Sequence, residues 1–326
     1  MIIYDEVKFH SDNDKNILNK GTYVALGSFD GLHLGHISLV KKIVELAKKN
    51  NSLSMVYTFL NHPRKFVKPN ETLKLLSDVN TKVQILENSN VDITYFEKFD
   101  ENFMERSSED FIVYLINKFN VKGIVVGFNY KFGYKNLGNT ETLKKLSQKY
   151  NFNLYIINPC KYKDKVVSST RIRHEIINGN VCDVLNMLGR PYHLSGEVIS
   201  GKQIGRTIGF PTANLKLNKD FVIPKIGVYY TNVFVNDILY KGITNVGTNP
   251  TVHGDKLTVE TFILDFKEDI YGKNIQVIFI KKMRNQTKFN DINELKNQLN
   301  KDKNFARNES LYKYCKNYLQ QWSILI

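Results

Sequence analysis

The chain has 326 residues, of which 46 are Lys or Arg and 32 are Asp or Glu, giving a net charge of +14. A hydrophobic content of 42% is enough for a buried core and excludes a disordered or fibrous protein. The longest apolar runs are far shorter than the roughly 18 residues of a spanning helix, so we expect no transmembrane segment, and at roughly 150 residues per domain we expect two domains.

The N-terminus and the cysteines bear on the compartment. Asp5 and Glu6 come before any apolar stretch that could serve as a secretory signal. Cys160, Cys182 and Cys315 are widely spaced and encode neither a disulfide framework nor a zinc ribbon. These features predict a protein of the reducing cytoplasm. The positive charge is spread over both halves of the chain, which is typical of a Lys-rich surface, and a nucleic-acid surface stays open as the alternative.

Short β-branched runs alternate with helical periods in the first half of the chain. The predicted strands are Tyr23–Leu26, Leu53–Phe59, Val91–Phe96, Gly123–Val126 and Leu154–Ile157. The predicted helices are Ile37–Lys49, Val79–Leu86, Phe111–Phe119 and Thr142–Tyr150. This alternation predicts a doubly wound α/β sheet, which binds ligands beyond the carboxyl ends of its strands.

A glycine-rich turn, Gly27 to His36, follows the first of these strands and opens the first helix. A helix N-terminus presents unpaired N–H groups and partial positive charge, and glycine lets the backbone approach an anion. The turn has neither the P-loop nor the dinucleotide-binding pattern, so His33 and His36 are offered to a nucleotide phosphate instead. Two alternatives remain: a zinc pair completed by His62, and histidines that are merely solvated or packed.

Two short helices are predicted next, Ser169–Ile177 and Val181–Met187. The first opens on a sequence that combines hydroxyls with the guanidiniums of Arg171 and Arg173. Only eight of the 46 basic residues are arginine, so their position here favours bidentate phosphate recognition, and a capped surface helix is the alternative. The pattern changes near Asn186 to Pro191, where we predict a domain boundary between residues 186 and 187.

From His193 to Arg284 the sequence indicates period-2 strands with Gly, Pro and Asn turns and no helical stretch. Strands are predicted around Val198 and at Phe221–Ile223, Val228–Val235, Leu239–Val246, Leu257–Phe266 and Ile275–Ile280. Such a series predicts a small antiparallel barrel. Asp291–Leu319 returns to helical periodicity and predicts a C-terminal helix packed against that barrel.

A stretch with three glycines at four-residue spacing begins at Gly201 and suits a flexible flap over phosphates. Pro211 then fixes Thr212 and Asn214, whose alternate side chains point to one face as hard oxygen ligands for Mg²⁺. A barrel hairpin with turn glycines is the alternative interpretation of this stretch.

Together these motifs resemble, in order and over almost the whole chain, the bacterial bifunctional riboflavin kinase/FAD synthetase family. The segments that carry the resemblance are Gly27–His36, Thr58–Pro63, Gly127–Gly133, Ser168–Arg173, Gly209–Asn214, Gly227–Tyr229, Asn245–Thr251, Val259–Thr261, Asp265–Phe266, Tyr271–Gly272 and Arg284–Phe289. Two positions depart from the family: Asn61, where proline is usual, and Phe262, where His or Tyr is frequent.

The resemblance implies a Rossmann-like nucleotidyltransferase domain, residues 1–186, as an FMN adenylyltransferase. It implies that residues 187–326 form a small antiparallel β-barrel, riboflavin kinase-like, with a C-terminal helix. The kinase would convert riboflavin and ATP to FMN, and the adenylyltransferase would convert FMN and ATP to FAD and pyrophosphate. The expected partners are these small molecules and Mg²⁺, not nucleic acid or a membrane. A chain that keeps only one activity is an alternative, and we predict no oligomeric state.

The resemblance also implies roles for individual residues. Glu260 would be the base that activates the high-pKa ribityl hydroxyl, with an ordinary exposed-strand glutamate as the alternative. The other residues with catalytic roles would be His33, His36 and Arg171. ATP would be held by Gly27, Phe29, His33, His36, Asn129, Ser169, Thr170, Arg171, Gly205 and Arg206. The flavin would be held by Phe59, His62, Pro63, Phe128, Tyr130, Glu260 and Arg284.

Overall fold

The computed structural model describes residues 1–5, 17–201, 204–251 and 254–312. The chain divides into two compact units, Met1–Ser169 and Thr170–Ile326. Each unit is described by itself.

The first unit is built on a six-stranded parallel sheet in the order β1-β4-β3-β2-β5-β6. Its strands are β1 (Ile2–Asp5), β2 (Thr22–Leu26), β3 (Leu53–Phe59), β4 (Ile93–Glu97), β5 (Val121–Gly127) and β6 (Asn153–Ile157). The five predicted strands are confirmed, and β1 adds an edge strand that the prediction lacked. Chain order reverses around β2, so its carboxyl end is the switch point at which open α/β sheets bind ligands.

Besides a short 3-10 helix at Tyr134–Asn136, the described part of this unit contains the α-helices α1 (Leu34–Lys49), α2 (Pro63–Val67), α3 (Val79–Asn88), α4 (Glu101–Met104), α5 (Ser108–Phe119) and α6 (Thr140–Tyr150). The four predicted helices are confirmed. Three of them begin earlier than the apolar pattern indicates, because the side chains of His33, Ser107 and Asn139 cap α1, α5 and α6. A small antiparallel hairpin follows, formed by β7 (Lys161–Tyr162) and β8 (Lys165–Val166).

The core of the first unit lies against the central strands, and β2 is buried along its whole length. Tyr57 stacks on Tyr95 with ring centroids 5.4 Å apart, and Tyr95 meets Phe119 at 4.9 Å. Burial on both faces is the usual state of parallel strands covered by helices. The sheet therefore holds the loops at the carboxyl ends of β2 and β3 on a rigid base.

The second unit contains a closed barrel in the order β10-β13-β12-β11-β14-β9. Its strands are β9 (Tyr192–Ile199), β10 (Thr212–Leu215), β11 (Gly227–Val235), β12 (Ile238–Thr251), β13 (Gly254–Ile263) and β14 (Asn274–Arg284). The helices α7 (Ser169–Asn178) and α8 (Val181–Leu188) precede it, α9 (Ile204–Thr207) interrupts it, and α10 (Ile292–Asn308) follows it. The predicted barrel and the two short helices before it are confirmed.

Three details of the predicted barrel region were wrong. Phe221–Ile223 does not form a strand, because the Val222 carbonyl accepts the Tyr192 hydroxyl at 2.5 Å and a proline follows at residue 224. The stretch expected to lack helix contains α9, and β10 was absent from the predicted strands.

The C-terminal helix begins where the sequence indicates, with Asp291 as its cap, but it ends at Asn308. The backbone of Glu309 is already extended. Residues 313–319 of the predicted helix lie outside the described residues. Ala306 of α10 is fully buried and packs in one cluster with Tyr230, Ile243 and Leu264, so the helix lies on the barrel as predicted.

Within the described ranges, no helix has both the length and the apolar character needed to cross a lipid bilayer.

Candidate functional site

The turn after β2 gathers three of the side chains predicted to bind nucleotide. The rings of His33 and His36 stack with centroids 3.7 Å apart, and Phe29 meets His36 edge-on at 5.2 Å. His33 caps α1, since its Nδ1 accepts the backbone N–H of His36 at 3.4 Å. The first turn of α1 carries no acidic side chain, so the positive end of this helix is suited to an anion.

The backbone of this turn is held in an unusual conformation. Phe29 and Leu32 have positive φ angles of 47° and 38°, and both side chains are fully buried. Gly31 has φ 77°, and a Cβ there would lie 2.8 Å from Cδ1 of Leu76, so only glycine fits. Left-handed non-glycine residues cost about 1–3 kcal/mol each and occur mostly where surrounding structure imposes them. The turn is therefore preshaped before a ligand arrives.

Residues 76–82, which we call the bracing segment, hold the turn after β2 through hydrogen bonds. The Leu76 N–H donates to Oδ1 of Asp30 at 3.0 Å, and the Gly31 N–H donates to Oγ of Ser77 at 3.2 Å. The ammonium of Lys82 donates to the Ser28 carbonyl at 3.0 Å. Sequence reasoning did not select this segment.

A signal for Lys82 was nevertheless present in the sequence. Lys82 lies three and four residues before Ile85 and Leu86, so helical periodicity puts it on the apolar face of α3. The structure buries all three side chains. A lysine on a buried face needs a polar partner or a function.

Ser169 is a further predicted residue that the structure brings to the turn. Its hydroxyl donates to the Asp30 carbonyl at 2.9 Å. Thr170, exposed, and Arg171, half-buried, follow in the first turn of α7, and both are counted with the second unit. Asn129 is exposed just beyond the carboxyl end of β5.

The predicted flavin residues of the first unit lie at the end of β3 or beyond the ends of β3 and β5. Phe59 is half-buried in an aromatic cluster, with its ring centroid 5.6 Å from Phe99 and 5.3 Å from Phe103. Phe128 is 43% exposed, which leaves its ring free to stack on a planar ligand. Tyr130 stacks on the ring of Phe132 at 5.5 Å, and burial raises the pKa of its hydroxyl.

His62 and Pro63 open the short helix α2. The Nδ1 of His62 accepts the Arg64 N–H at 3.2 Å, and Pro63 is the first helical residue. The zinc alternative for His33, His36 and His62 requires a cluster of ligands. Among the residues that the structure describes, no group of three or more His, Cys, Asp and Glu side chains is placed to hold a metal.

Asn61 takes a different structural role from the proline that the family resemblance leads one to expect. Its side-chain amide donates to the Phe99 carbonyl at 2.7 Å and accepts the Phe99 N–H at 2.8 Å. A proline could make neither bond. The amide therefore ties the loop after β3 to the loop after β4, beside the aromatic cluster of Phe59.

In the second unit, strand β10 lies along a cavity of about 260 Å³. Thr212 and Asn214 both line it with half-buried side chains, because alternate residues of a strand face the same side. Arg206, Glu268 and Asp269 also line it. Hydroxyl, amide and carboxylate oxygens are the ligands that Mg²⁺ takes in proteins, so this donor set fits the predicted metal.

Glu260 lies beside this cavity but is not among the residues that line it. On β13 it is directly opposite Asn214 of β10, and on its other side it is directly opposite Asn245 of β12. Opposite residues of antiparallel strands share a face, with Cβ atoms about 4.5–5.5 Å apart. The three half-buried side chains thus form a polar row, in which Asn245 was not singled out from the sequence.

The flap that precedes β10 makes a tight turn in which the backbone of Phe210 lies close to Gly205. The Phe210 N–H donates to the Gly205 carbonyl at 2.8 Å, and a Cβ on Gly205 would overlap the Phe210 carbonyl oxygen. Arg206, the next residue, is exposed on α9. This tight turn holds Arg206 at the mouth of the cavity.

Phe262, the second departure from the family pattern, packs against Phe210 with ring centroids 5.2 Å apart. The ammonium of Lys303 lies 5.8 Å from each of these two ring centroids. Such a cation over two rings adds a modest attraction. Phe262 therefore helps to hold α10 near the polar row.

Arg284, predicted to bind flavin, is paired with Asp302 of α10. Its Nη2 lies 2.7 Å from Oδ2 of Asp302, and its Nε donates to Oδ1 at 3.1 Å. The Asp302 side chain is only 4% exposed, and Gln298 donates to it at 2.9 Å. In the structure this guanidinium joins the end of β14 to α10.

Two family models match the chain in succession. A model described as FAD synthetase matches residues 15–171, and a model described as riboflavin kinase matches residues 188–310. The first contains the turn after β2, and the second contains the barrel with the polar row.

Curated relatives match over most of the chain. A bifunctional riboflavin kinase/FMN adenylyltransferase of Buchnera aphidicola is 36% identical over 291 residues, which cover 87% of this chain and 93% of that protein. The protein of that name from Escherichia coli strain K12 is 33% identical over 290 residues, covering 88% and 92% respectively.

A solved structure also shares this fold. A protein of Streptococcus pneumoniae, described as a macrolide-efflux protein, is 31% identical, with a TM-score of 0.86 over 95% of this chain and 100% of that chain. Efflux is the description of that protein and is not transferred to this chain.

Proposed function

Because the chain belongs to the bifunctional riboflavin kinase/FMN adenylyltransferase family, and is a transferase with both activities, we propose that the two steps use two separate sites, one in each compact unit. The observation that carries this proposal is the position of the two donor sets. The stacked histidines lie at the switch point of the first unit, and the polar row lies on the barrel of the second.

In the kinase step, the 5′-hydroxyl of riboflavin attacks the terminal phosphorus of ATP. Glu260 accepts the hydroxyl proton as the new O–P bond forms, and ADP leaves, so that FMN results. Asn214 and Asn245 flank Glu260 in register and are placed to orient the carboxylate and the substrate hydroxyl. Arg206 and the tight turn at Gly205 contribute positive charge and closure around the phosphates.

In the adenylylation step, a phosphate oxygen of FMN attacks the α-phosphorus of a second ATP, and pyrophosphate leaves. The nucleophile is already an anion, so a general base is not required. What the site must supply is alignment and charge screening. His33, His36 and Ser169 are the donors of the first unit that we assign to this task, with Phe29, Asn129 and the backbone at Gly27. For Arg171 and Thr170, which are counted with the second unit, binding to ATP stays a prediction from the sequence.

We assign the flavin of this second step to the aromatic region beyond β3 and β5. The exposed ring of Phe128 and the half-buried ring of Phe59 offer flat apolar surface for an isoalloxazine ring. His62, Pro63 and Tyr130 complete the set.

Mg²⁺ is the metal that the second unit is suited to hold. Thr212 and Asn214 would bind it, and it would supply positive charge to the terminal phosphates of ATP. The support is the chemistry of the donors along β10, which are neutral oxygens beside the carboxylates of Glu268 and Asp269.

We place the functional boundary between residues 186 and 187. The family models leave residues 172–187 unmatched, and the composition changes there. The compact units divide earlier, after Ser169, so that α8 packs with β9 and β14 of the barrel. We also place the enzyme in the cytoplasm, which suits the free thiols of Cys160 and Cys182.

The experiment is to follow flavins chromatographically when the full chain is given ATP and Mg²⁺ with either riboflavin or FMN. Glu260→Gln should form no FMN from riboflavin and should still convert FMN to FAD. His36→Ala should do the reverse. Loss of both activities in either variant would contradict two separate sites.

Two matched control variants show whether a loss of activity comes from the proposed site or from removing a residue of that type elsewhere in the chain. Glu197→Gln removes a carboxylate from the same barrel, where Glu197 pairs with Lys216 at 3.0 Å on the surface. His174→Ala removes an exposed histidine from α7. Both variants should keep both activities.

A further inference from the structure

Lys82 is a buried cation at the base of the adenylylation site, and the two proposed steps give it no role. Its side chain is 7% exposed. Its ammonium donates to the Ser28 carbonyl at 3.0 Å and to the Thr58 hydroxyl at 3.3 Å, and lies 6.0 Å from the centre of the Phe96 ring. Burying a cation is costly in free energy even when hydrogen bonds offset part of the cost, so a buried lysine calls for an explanation.

The two oxygens that Lys82 binds belong to a loop and to a neighbouring strand. Ser28 is in the turn after β2, and Thr58 is near the carboxyl end of β3. The Thr58 hydroxyl also donates to the Ser28 carbonyl, at 3.1 Å. The ammonium and the hydroxyl thus join the proposed ATP turn to the strand that leads to the proposed flavin residues.

The hydrogen bond from Lys82 to the Ser28 carbonyl also fixes the direction of the Phe29 N–H. A trans peptide is planar, so its C=O and its N–H point in opposite directions. Because the Ser28 carbonyl points at Lys82, the N–H of Phe29 points away from Lys82. Phe29 has a positive φ of 47°. Through Lys82, the bracing segment fixes the orientation of the peptide that precedes this residue.

The charge of Lys82 acts together with this geometry. Asp30 is the charged group that faces it, and burial lowers the pKa of Lys82 to about 8 against the opposing effect of Asp30. The ammonium is therefore mainly protonated at pH 7. A positive charge held in a medium of low dielectric acts strongly on an anion placed above the turn.

We propose that Lys82 is a positioning residue for adenylyl transfer, which sets the Ser28–Phe29 peptide and places a fixed positive charge beneath the phosphates of ATP. The inference rests on the proposed location of the adenylylation site and adds a residue to it. Lys82 acts through the turn and need not touch the substrate.

The test compares Lys82→Met and Lys82→Arg with Lys118→Met. Lys118 is the matched control, because its ammonium also donates to two oxygens inside the first unit, the hydroxyls of Tyr95 and Tyr114 at 2.8 and 2.9 Å. For each chain, kcat and KM for ATP are measured in the conversion of FMN to FAD. Riboflavin phosphorylation by the same sample measures the concentration of intact chain.

We expect Lys82→Met to lose about 10- to 100-fold in kcat/KM for ATP, the size of one lost charged hydrogen bond. Lys82→Arg should recover part of the loss, and Lys118→Met should stay within about twofold of the parent. Riboflavin phosphorylation should not change. FAD formation by the parent chain tests the proposed function, whereas the ratio of variant to parent tests Lys82.

The proposal is overturned if Lys82→Met stays within twofold, or if Lys118→Met loses as much as Lys82→Met. It is also overturned if Lys82→Arg recovers nothing while its thermal transition is intact. Should Lys82→Met fail to fold, the isosteric Thr58→Val decides: a fall in kcat/KM at unchanged melting temperature supports the proposal, and an unchanged kcat/KM overturns it.

Discussion

The pair formed by Arg284 and Asp302 gives a stability prediction that separates two roles for the same arginine. Asp302→Ala removes a carboxylate that is 4% exposed and leaves the guanidinium of Arg284, 22% exposed, without it. Breaking a fully buried pair costs about 3–5 kcal/mol. Because the arginine is partly solvated, we expect about 2–3 kcal/mol of lost unfolding free energy in the second unit.

Calorimetry checks this magnitude. In a unit of this size, a loss of 2–3 kcal/mol lowers the melting temperature by about 4–12 °C. The double variant Arg284→Met with Asp302→Leu should be more stable than Asp302→Ala, because it leaves no charge buried alone. Glu197→Gln, which breaks an exposed pair with Lys216, should cost less than about 0.5 kcal/mol.

The same variants decide what Arg284 does for flavin. If it acts by joining β14 to α10, Arg284→Met and Asp302→Ala should raise the KM for riboflavin by similar factors at temperatures well below melting. If it binds flavin itself, only Arg284→Met should raise that KM. A loss below about 0.5 kcal/mol in Asp302→Ala would refute the stability reasoning.

Three further predictions concern the two active sites. Since burial lowers the pKa of Lys82 to about 8 with Asp30 facing it, kcat/KM for FAD synthesis should fall as pH rises through about 8, while a pH profile of riboflavin phosphorylation should lack that fall. Gly205→Ala should raise the kinase KM for ATP by about tenfold or more, measured by initial rates, because the added methyl overlaps a backbone carbonyl. Asn61→Ala should raise the KM for FMN a few-fold in FAD synthesis and leave the KM for riboflavin unchanged, because only its two bonds to Phe99 are lost.

The order of strands and helices could be predicted because periodicity is a local property of the sequence. Leu53–Phe59 is a continuous apolar and β-branched run, and the strand occupies those residues. Helix starts were placed too late where the cap lies outside the apolar pattern, as at Ser107. The edge strand Ile2–Asp5 is short and isolated from other signals, and only its pairing with β4 makes it a strand.

The motifs indicated which residues belong to the turn after β2, although their roles stay a prediction. His33 and His36 lie close together because they are three residues apart at a helix start. The bracing segment could not be found in this way, because its contacts with the turn join residues 46 to 54 positions apart. The pairing of Arg284 with Asp302 is likewise set by how α10 packs, and a motif cannot show it.

The polar row shows what pairing adds to a motif. Glu260 was selected because its segment resembles that of a known family. Asn214 was selected because it lies two residues from Thr212 and so faces the same side of a strand. Only the register of three strands shows that Asn214, Glu260 and Asn245 share one face. Register depends on partners distant in the sequence, so it is not written in any single segment.

The most direct test of two separate sites is a mixing experiment with Glu260→Gln and His36→Ala, given riboflavin, ATP and Mg²⁺. Alone, the first should make no flavin product and the second should accumulate FMN. Mixed in equal amounts, they should make FAD, because the FMN released by one chain is adenylylated by the other. Absence of FAD from the mixture, with FMN present and Glu260→Gln active on added FMN, would contradict two independent sites.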